Sequence, residues 1–203
     1  MTQTQTKTQT QPQTPANTSA APSARFNDSA AVAGLAVPAT DKQRDKVAAE
    51  IKKRTFLTLS TASPAGYSHA AGVIYEAVGG SLWIHTLRSS RKARNIAASG
   101  RVGVCIPFRK LPVGPPYTVQ FQTTASLVEM DDPEILRLLD KGHLKNISGH
   151  GALEMADGCF IKLSWPQTVH SYGLGAKLID LIRDPLNSGA GRVTFGPGEA
   201  YGN

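Results

Sequence analysis

Three short segments between residues 55 and 87 constrain the fold more than any other feature of the sequence. In "TFLTLSTAS" the apolar Leu57 and Leu59 alternate with Thr58 and Ser60, which is the pattern of a half-buried β-strand. The segments "HAAGVIYEAV" and "SLWIHTL" follow, and the turn sequences "SPAGYS" and "GG" separate the three. Consecutive hairpins at such regular spacing are typical of a β-barrel or a β-sandwich.

The chain after residue 87 adds three more predicted strands. They lie at "RVGVCIPF", "PYTVQFQTTASLVEM" and "GCFIKLSWPQTVHSY", and Pro166 interrupts the last of them. Helices are predicted at "TDKQRDKVAAEIKKR" and "DDPEILRLLDKG", and a further helix runs from a cap at Ser89 or Ser90 to Gly100. We therefore predict a mainly β (α+β) fold with six antiparallel strands and a few peripheral helices.

Both ends of the chain differ in composition from its centre. Residues 1–28 are rich in Thr, Gln, Pro and Ala, and they contain too little apolar surface to offset the entropy of ordering. We predict a disordered tail there, a folded domain over residues 29–180, and an irregular tail over residues 181–203. The apolar run "AAVAGLAVPA" lies behind nearly thirty polar residues, so it does not predict a secretion signal.

The cysteine content indicates a reducing compartment. Cys105 and Cys159 are the two cysteines, and they show no C-x-x-C spacing, which argues against a metal site. Two reduced thiols are the simplest interpretation, and no segment has the roughly 20 apolar residues that span a bilayer. We therefore expect a cytoplasmic protein without bound metal or membrane contact.

A cluster of positive charge lies where the third strand meets the following helix. The formal net charge is +7, and four cations fall within seven positions: Arg88, Arg91, Lys92 and Arg94. Cations in the first turn of a helix are unfavourable by about 0.3–1 kcal/mol each. The backbone N–H groups and serine hydroxyls at such a helix start form an anion site, and Arg and Lys are suited to phosphate. Solvated side chains on an exposed helix are the alternative interpretation.

The segment "IHTLRSSRKARNIAASGRVGVCIPF" resembles the flavin-phosphate motif of the pyridoxamine 5′-phosphate oxidase-like, FMN-binding split-barrel superfamily. The resemblance covers roughly residues 45–172 and implies a six-stranded antiparallel split β-barrel. Order and spacing match the motif at Thr86, Ser90, Arg91, Lys92, Ala93, Asn95, Ile96, Arg101 and Val102.

The resemblance also implies roles for individual residues. His85 and Thr86 would contact the flavin or its ribityl chain, while Ser90, Arg91 and Lys92 would hold the phosphate.

Two further contacts are implied for the flavin ring. Backbone N–H groups between Ala71 and Val73 would face the ring nitrogens, and Thr118 and Tyr172 would reach the cofactor from the other subunit. The resemblance thus implies a homodimer with each cofactor at the subunit interface.

These features lead us to expect an FMN-dependent oxidoreductase that acts on a small organic substrate. No catalytic side chain is required, because the flavin carries the hydride. The chain lacks the phosphate-gripping Arg of the family oxidase on its second strand and the Arg-x-His motif after its last strand, which argues against pyridoxamine phosphate oxidation.

Two alternatives remain. Lys92, Arg94 and Asn95 also fit the pattern of relatives that bind the 8-hydroxy-5-deazaflavin coenzyme. A non-enzymatic flavin or haem binder on the same barrel is the second. Nucleic-acid binding is not expected, because the aromatic-poor strands offer no stacking platform.

Overall fold

The computed structural model describes residues 40–109, 116–149, 151–184 and 188–196. Within these residues the strands are β1 (Phe56–Ala62), β2 (Ser68–Ile74), β3 (Glu76–Val78), β4 (Ser81–Leu87), β5 (Arg101–Phe108), β6 (Tyr117–Val128), β7 (Gly158–Ser164), β8 (Thr168–Tyr172) and β9 (Ala190–Thr194). The α-helices are α1 (Asp41–Lys53), α2 (Arg91–Ser99), α3 (Pro133–Asp140), α4 (Lys145–Ser148) and α5 (Leu178–Arg183). The predicted tail over residues 1–28, and residues 29–39 of the predicted domain, lie outside the described residues.

All of the strand pairs in the described residues are antiparallel. The strand order is β2-β1-β5-β6-β7-β4-β3, and β8 and β9 extend the sheet from β6. This arrangement, with its few helices, confirms the predicted mainly β fold and its split barrel.

The described residues contain nine strands where six were predicted. Tyr75 divides the predicted second strand, because its N–H still bonds to Thr55 on the β1 side while Glu76 pairs with β4. The last predicted strand is divided into β7 and β8 around Pro166, which has no N–H to give to a ladder. The ninth strand, β9, comes from the C-terminal segment.

The expectation that residues 181–203 are irregular is wrong for part of that segment. Residues Ala190–Thr194 form β9, which pairs with β8 along its whole length, and α5 ends at Arg183. The pairing places Val193 opposite Val169, and both side chains are buried in the main core. Residues 197–203 lie outside the described residues.

Strand β4 separates two apolar cores. Leu82 and Ile84 point into the main core, whereas Trp83 points into a second core with Phe160 of β7. Ile135 and other residues of α3 and the following segment complete this second core. Successive side chains of a strand point to opposite faces, so neighbouring residues of β4 serve different cores.

Helix α1 is fixed to the sheet by a buried hydrogen bond at its C-terminal end. The hydroxyl of Tyr75 donates to the carbonyl oxygen of Ile51 at 2.6 Å, and both residues are fully buried. Ile51 lies in the last turn of α1, where carbonyl groups have no partner within the helix. Tyr75 therefore caps α1 from the corner between β2 and β3.

The barrel is split between β2 and β4. Backbone hydrogen bonds join Tyr75 to Thr55 and Ser63 to Tyr67, at the two ends of the β1–β2 hairpin. Hydrogen-bonded pairs alternate in an antiparallel ladder, so the N–H groups of Gly72 and Ile74 point away from β1. No described strand pairs with β2 on that side, and β2 and β4 are connected there through β3.

Candidate functional site

The corner between β4 and α2 is built around Ser90. Its hydroxyl accepts a hydrogen bond from the N–H of Ala93 at 3.3 Å, so Ser90, and not Ser89, caps the helix. The hydroxyl of Thr86, which is buried, lies 3.3 Å from the same oxygen. Gly100 ends α2 in the left-handed conformation (φ 63°), as predicted.

A second set of contacts holds the turn before the helix. The N–H of Ser89 donates to the carboxylate of Asp157 at 2.9 Å, and the N–H of Arg88 donates to the Asp157 carbonyl at 2.8 Å. Hydrogen bonds from the Ser89 hydroxyl and N–H lower the pKa of Asp157, so the carboxylate stays charged. The Arg88 guanidinium forms an ion pair with Glu129. Arg88 is therefore engaged within the chain.

The other three cations of the cluster have no such partner. In the part of the chain that the structure describes, no carboxylate forms an ion pair with Arg91, Lys92 or Arg94. The backbone N–H groups of Arg91 and Lys92, at the first two positions of α2, have no acceptor among the same residues. The corner thus presents hydrogen-bond donors and positive charge, which is the donor set that binds an oxyanion.

A pocket of about 520 Å³ opens beside this helix. It lies between α2 and the turn that connects β1 to β2, and its lining residues are Ser63, Pro64, Tyr67, Ser68, Arg91, Arg94 and Asn95. Residues three and four apart share one face of a helix, which explains why Arg91, Arg94 and Asn95 line it together.

Lys92 does not line the pocket, although we predicted that it acts with Arg91. Its position turns it by about 100° around the helix from Arg91. The structure therefore separates Arg91 and Lys92, and it brings Arg94 to the pocket instead.

Asn95 fixes the position of α2 against the hairpin. Its side-chain N–H group donates to the hydroxyl of Thr61 at 3.0 Å, and both side chains are buried. Thr61 lies one residue before the end of β1, and Ser63 follows in the turn. This hydrogen bond therefore sets the distance between the two walls of the pocket.

His85 and Thr86 are predicted to contact the flavin or its ribityl chain, and the structure places their side chains on opposite faces of β4. The imidazole of His85 packs edge-to-face against Phe160 in the second core, with ring centroids 5.4 Å apart. Burial lowers the pKa of His85, and its Nε2 atom has no hydrogen-bond partner among the described residues. Thr86 points to the other face, toward Ser90.

The backbone of β2 offers one donor within the predicted range. By the alternation described above, the N–H groups of Ala71 and Val73 bond to β1, and that of Gly72 points into the split. The side chain of Val73 is buried in the main core, and Ala71 packs against it. Within this range, Gly72 is the residue whose N–H can meet a ligand.

Thr118 and Tyr172 are neighbours, but they lie away from this corner. They are paired in the β6–β8 ladder at the start of β6. The other end of β6, Val128, pairs with Phe160 of β7, the residue that lies opposite His85. Ten residues separate the two ends of β6, or roughly 30 Å along the strand. Neither Thr118 nor Tyr172 lines the pocket at α2.

The hairpin wall of the pocket was not predicted from the sequence. Ser63, Tyr67 and Ser68 lie in the segment "SPAGYS", which was interpreted as a turn. The helical spacing of Arg91 and Arg94 was the available signal for their shared face.

The described residues contain neither a candidate membrane span nor a candidate metal cluster. No helix there is long and apolar enough to cross a membrane. No group of three or more His, Cys, Asp or Glu side chains in the same residues is arranged to hold a metal ion.

Several solved structures share this fold at low sequence identity. HutZ, a haem storage protein from Vibrio cholerae, superimposes with a TM-score of 0.57 at 17% identity, covering 66% of this chain and 96% of HutZ. A haem-binding protein from Mycobacterium smegmatis gives a TM-score of 0.57 at 19% identity, covering 82% of this chain and 61% of the other. ChuZ from Campylobacter jejuni gives 0.56 at 14% identity, covering 68% and 59%. At these identities the similarity shows the fold alone.

The sequence comparison identifies the family. No curated protein sequence matches the chain. The family described as pyridoxamine 5′-phosphate oxidase matches residues 43–156, which is more than half of the 203 residues and includes α2 and both walls of its pocket. The chain therefore belongs to the pyridoxamine 5′-phosphate oxidase family.

Proposed function

We propose that this protein binds FMN and acts as a flavin-dependent oxidoreductase on a small organic substrate. The observation that carries the proposal is the α2 pocket, where Arg91 and Arg94 have no carboxylate partner among the described residues. The first N–H groups of α2 add further donors at the same corner. This donor set fits the terminal phosphate of a flavin nucleotide.

The split between β2 and β4 supports the position of the flavin ring. The N–H of Gly72 points into the split, and a backbone donor there suits the acceptor atoms of an isoalloxazine ring. When bound, FMN supplies the hydride chemistry, and this chain supplies binding, orientation and exclusion of water. Thr86 and Ser90 lie between Gly72 and Arg91 in this proposal, beside the ribityl chain.

We propose a homodimer as the functional form. Thr118 and Tyr172 do not line the α2 pocket, so we assign their contact to the cofactor of a second subunit. Phe56 and Ile74 are cross-strand neighbours on the outer face of the β1–β2 hairpin, with 49% and 55% of their surfaces exposed. Two such apolar side chains beside the split are suited to a subunit contact.

The test compares FMN with riboflavin, which has the same ring and no phosphate. We expect the Arg91→Gln/Arg94→Gln variant to bind FMN about 10- to 100-fold more weakly, because charge-assisted hydrogen bonds contribute about 1.5–3 kcal/mol. Riboflavin affinity should stay the same in this variant. The matched control is Lys141→Gln, because Lys141 is an exposed cation directly after α3 that does not line the pocket.

Fluorescence titration of each flavin gives the dissociation constants, and the absorption spectrum of the purified protein gives the cofactor that it carries. A yellow protein with an oxidised-flavin spectrum that bleaches on reduction supports the proposal. A colourless protein that binds neither FMN nor the 8-hydroxy-5-deazaflavin coenzyme refutes it. Mass spectrometry of the extracted ligand distinguishes FMN from the deazaflavin, which the same cations would also accept.

Haem binding is a second candidate. Two structures with a similar fold are haem proteins by name, HutZ and the Mycobacterium smegmatis protein. His170 of β8 is exposed, and a histidine imidazole is a common ligand of haem iron. A Soret band in the purified protein that His170→Ala abolishes would support this function. A flavin spectrum without a Soret band after addition of haem would exclude it.

A further inference from the structure

The pocket at α2 is larger than the phosphate of FMN requires. Its volume is about 520 Å³, and no residue that lines it is acidic. A cavity of about 150 Å³ is large enough to hold benzene, and a phosphate group is smaller than benzene. The pocket therefore has room for a ring-sized group beside the phosphate of a bound flavin.

The two arginines of the pocket lie at different levels of α2. Arg91 is the first residue of the helix, where backbone N–H groups have no acceptor among the described residues. Arg94 lies three residues further, or about 4.5 Å along the helix axis. Both side chains are exposed, and neither forms an ion pair with a carboxylate of the described residues. The two cations can therefore contact two neighbouring anionic groups, and FMN supplies a single phosphate.

Tyr67 lies on the other wall of the pocket, in the turn between β1 and β2. Ser63 fixes its backbone: the N–H of Ser63 donates to the Tyr67 carbonyl at 2.9 Å, and the N–H of Tyr67 donates to the Ser63 hydroxyl at 3.1 Å. The side chain of Tyr67 is exposed and belongs to neither apolar core. An aromatic ring that lines a pocket beside arginines is suited to stack on a nucleotide base.

The distance from Tyr67 to the split fits an extended dinucleotide. Tyr67 directly precedes β2, and Gly72, whose N–H points into the split, lies five residues further along the chain. Five residues of extended chain span roughly 17 Å. In FAD a ribityl chain, a diphosphate and a ribose separate the flavin ring from the adenine, and together they can cover such a distance.

We propose that the α2 pocket binds FAD more tightly than FMN, with the second phosphate of FAD at Arg94 and its adenine on Tyr67. The inference rests on the proposed flavin function, because FAD contains the same ring and the same first phosphate as FMN. Arg91 and the first N–H groups of α2 hold that first phosphate in either flavin. The hydroxyl groups of Ser63 and Ser68 line the same pocket and donate to the diphosphate or the ribose.

The test is isothermal titration of the flavin-free, full-length protein with FAD and with FMN. FAD should bind at least about tenfold more tightly than FMN, and Tyr67→Ala should remove about tenfold of FAD affinity, since base stacking on an aromatic side chain contributes energy of this order. FMN affinity should stay the same in Tyr67→Ala. Tyr67→Phe keeps the ring and should bind both flavins like the wild type. Arg94→Gln should weaken FAD more than FMN, and Arg91→Gln should weaken both.

The unchanged FMN affinity of Tyr67→Ala also shows that this variant is folded. Lys141→Gln is the control for charge, because Lys141 is exposed and does not line the pocket, and it should leave both affinities unchanged. FMN binding as tight as FAD binding in the wild type would refute the inference and leave the flavin function standing. FAD binding that Tyr67→Ala and Arg94→Gln leave intact would refute it too. A protein that binds neither flavin would refute both the inference and the proposed function.

Discussion

The hydrogen bond from Tyr75 to Ile51 allows a quantitative prediction for Tyr75→Phe. The substitution removes a single oxygen atom and leaves the ring in the core, so the packing of Tyr75 is retained. The carbonyl of Ile51 then loses its partner at the C-terminal end of α1, in a fully buried position. A buried acceptor left without a donor costs about 1–3 kcal/mol. For a domain of this size, about 2 kcal/mol lowers Tm by about 4–8 °C.

The same residue predicts a dependence on alkaline pH. Burial is the main reason that the pKa of Tyr75 is raised well above its ordinary value of 10.0. Above pH 10 the unfolded chain therefore releases this proton while the folded chain retains it. The unfolded state gains from ionisation, so the folded state loses stability as pH rises, by at most about 1.4 kcal/mol per pH unit. Tyr75→Phe has no such proton and lacks this part of the loss.

Urea denaturation followed by circular dichroism at several pH values from 7 to 11 measures both effects. We expect the free energy of unfolding of the wild type to exceed that of Tyr75→Phe at pH 7, with the difference shrinking above pH 10. Tyr67→Phe is the control, because Tyr67 is 78% exposed and its loss of a hydroxyl should change neither quantity. Equal stabilities at pH 7, or two curves that stay parallel to pH 11, would refute the reasoning.

Three further predictions concern the corner, the second core and a turn. Asn95→Ala should lower the free energy of unfolding by about 1–3 kcal/mol, because it removes the hydrogen bond to Thr61. A double-mutant cycle with Thr61→Val should give a coupling energy between the two side chains of at least about 0.5 kcal/mol. Additive effects would show that the two side chains do not interact. His85→Gln should make the free energy of unfolding less sensitive to acid between pH 7 and 5. Burial lowers the pKa of His85, so in the wild type the unfolded chain gains a proton that the folded chain does not take up, and stability falls. Denaturation midpoints at the two pH values measure this effect, and equal acid sensitivity of variant and wild type would contradict it. Gly173→Ala should lower Tm markedly in a thermal melt. Gly173 has φ 81°, and a Cβ atom there would stand 2.5 Å from Cδ1 of Tyr117. An unchanged Tm would disprove that close contact.

The sequence predicts most of the fold because the strand pattern is local. The alternation around Leu57 and Leu59 reports directly which side chains enter the main core, and β1 lies where it was predicted. Strand β9 was missed because its five residues contain a single buried side chain, Val193, whose burial depends on a partner strand distant in sequence. The break at Tyr75 was missed for a similar reason. The residues before Tyr75 pair with β1 and those after it pair with β4, and the local sequence does not show this change of partner.

The candidate site was predicted less completely than the fold. The charges, the cap and the end of α2 are local features, and the sequence shows them at Ser90, Arg91 and Gly100. Which charges share a pocket depends on how α2 is rotated, and the buried bond from Asn95 to Thr61 determines that rotation. His85 was assigned to the ligand from the family resemblance, and in the structure its side chain lies on the face of β4 opposite Thr86, against Phe160.

The open side of β2 has a consequence for handling the protein. The backbone N–H groups of Gly72 and Ile74 point away from β1, and no described strand hydrogen-bonds to them. Phe56 and Ile74 add exposed apolar side chains beside them. A bare strand of this kind is a template on which foreign chains can add in an uncontrolled way and precipitate. A ligand or subunit that occupies the split also covers this exposed strand edge. The protein should therefore aggregate more slowly at high concentration when more of it carries the ligand.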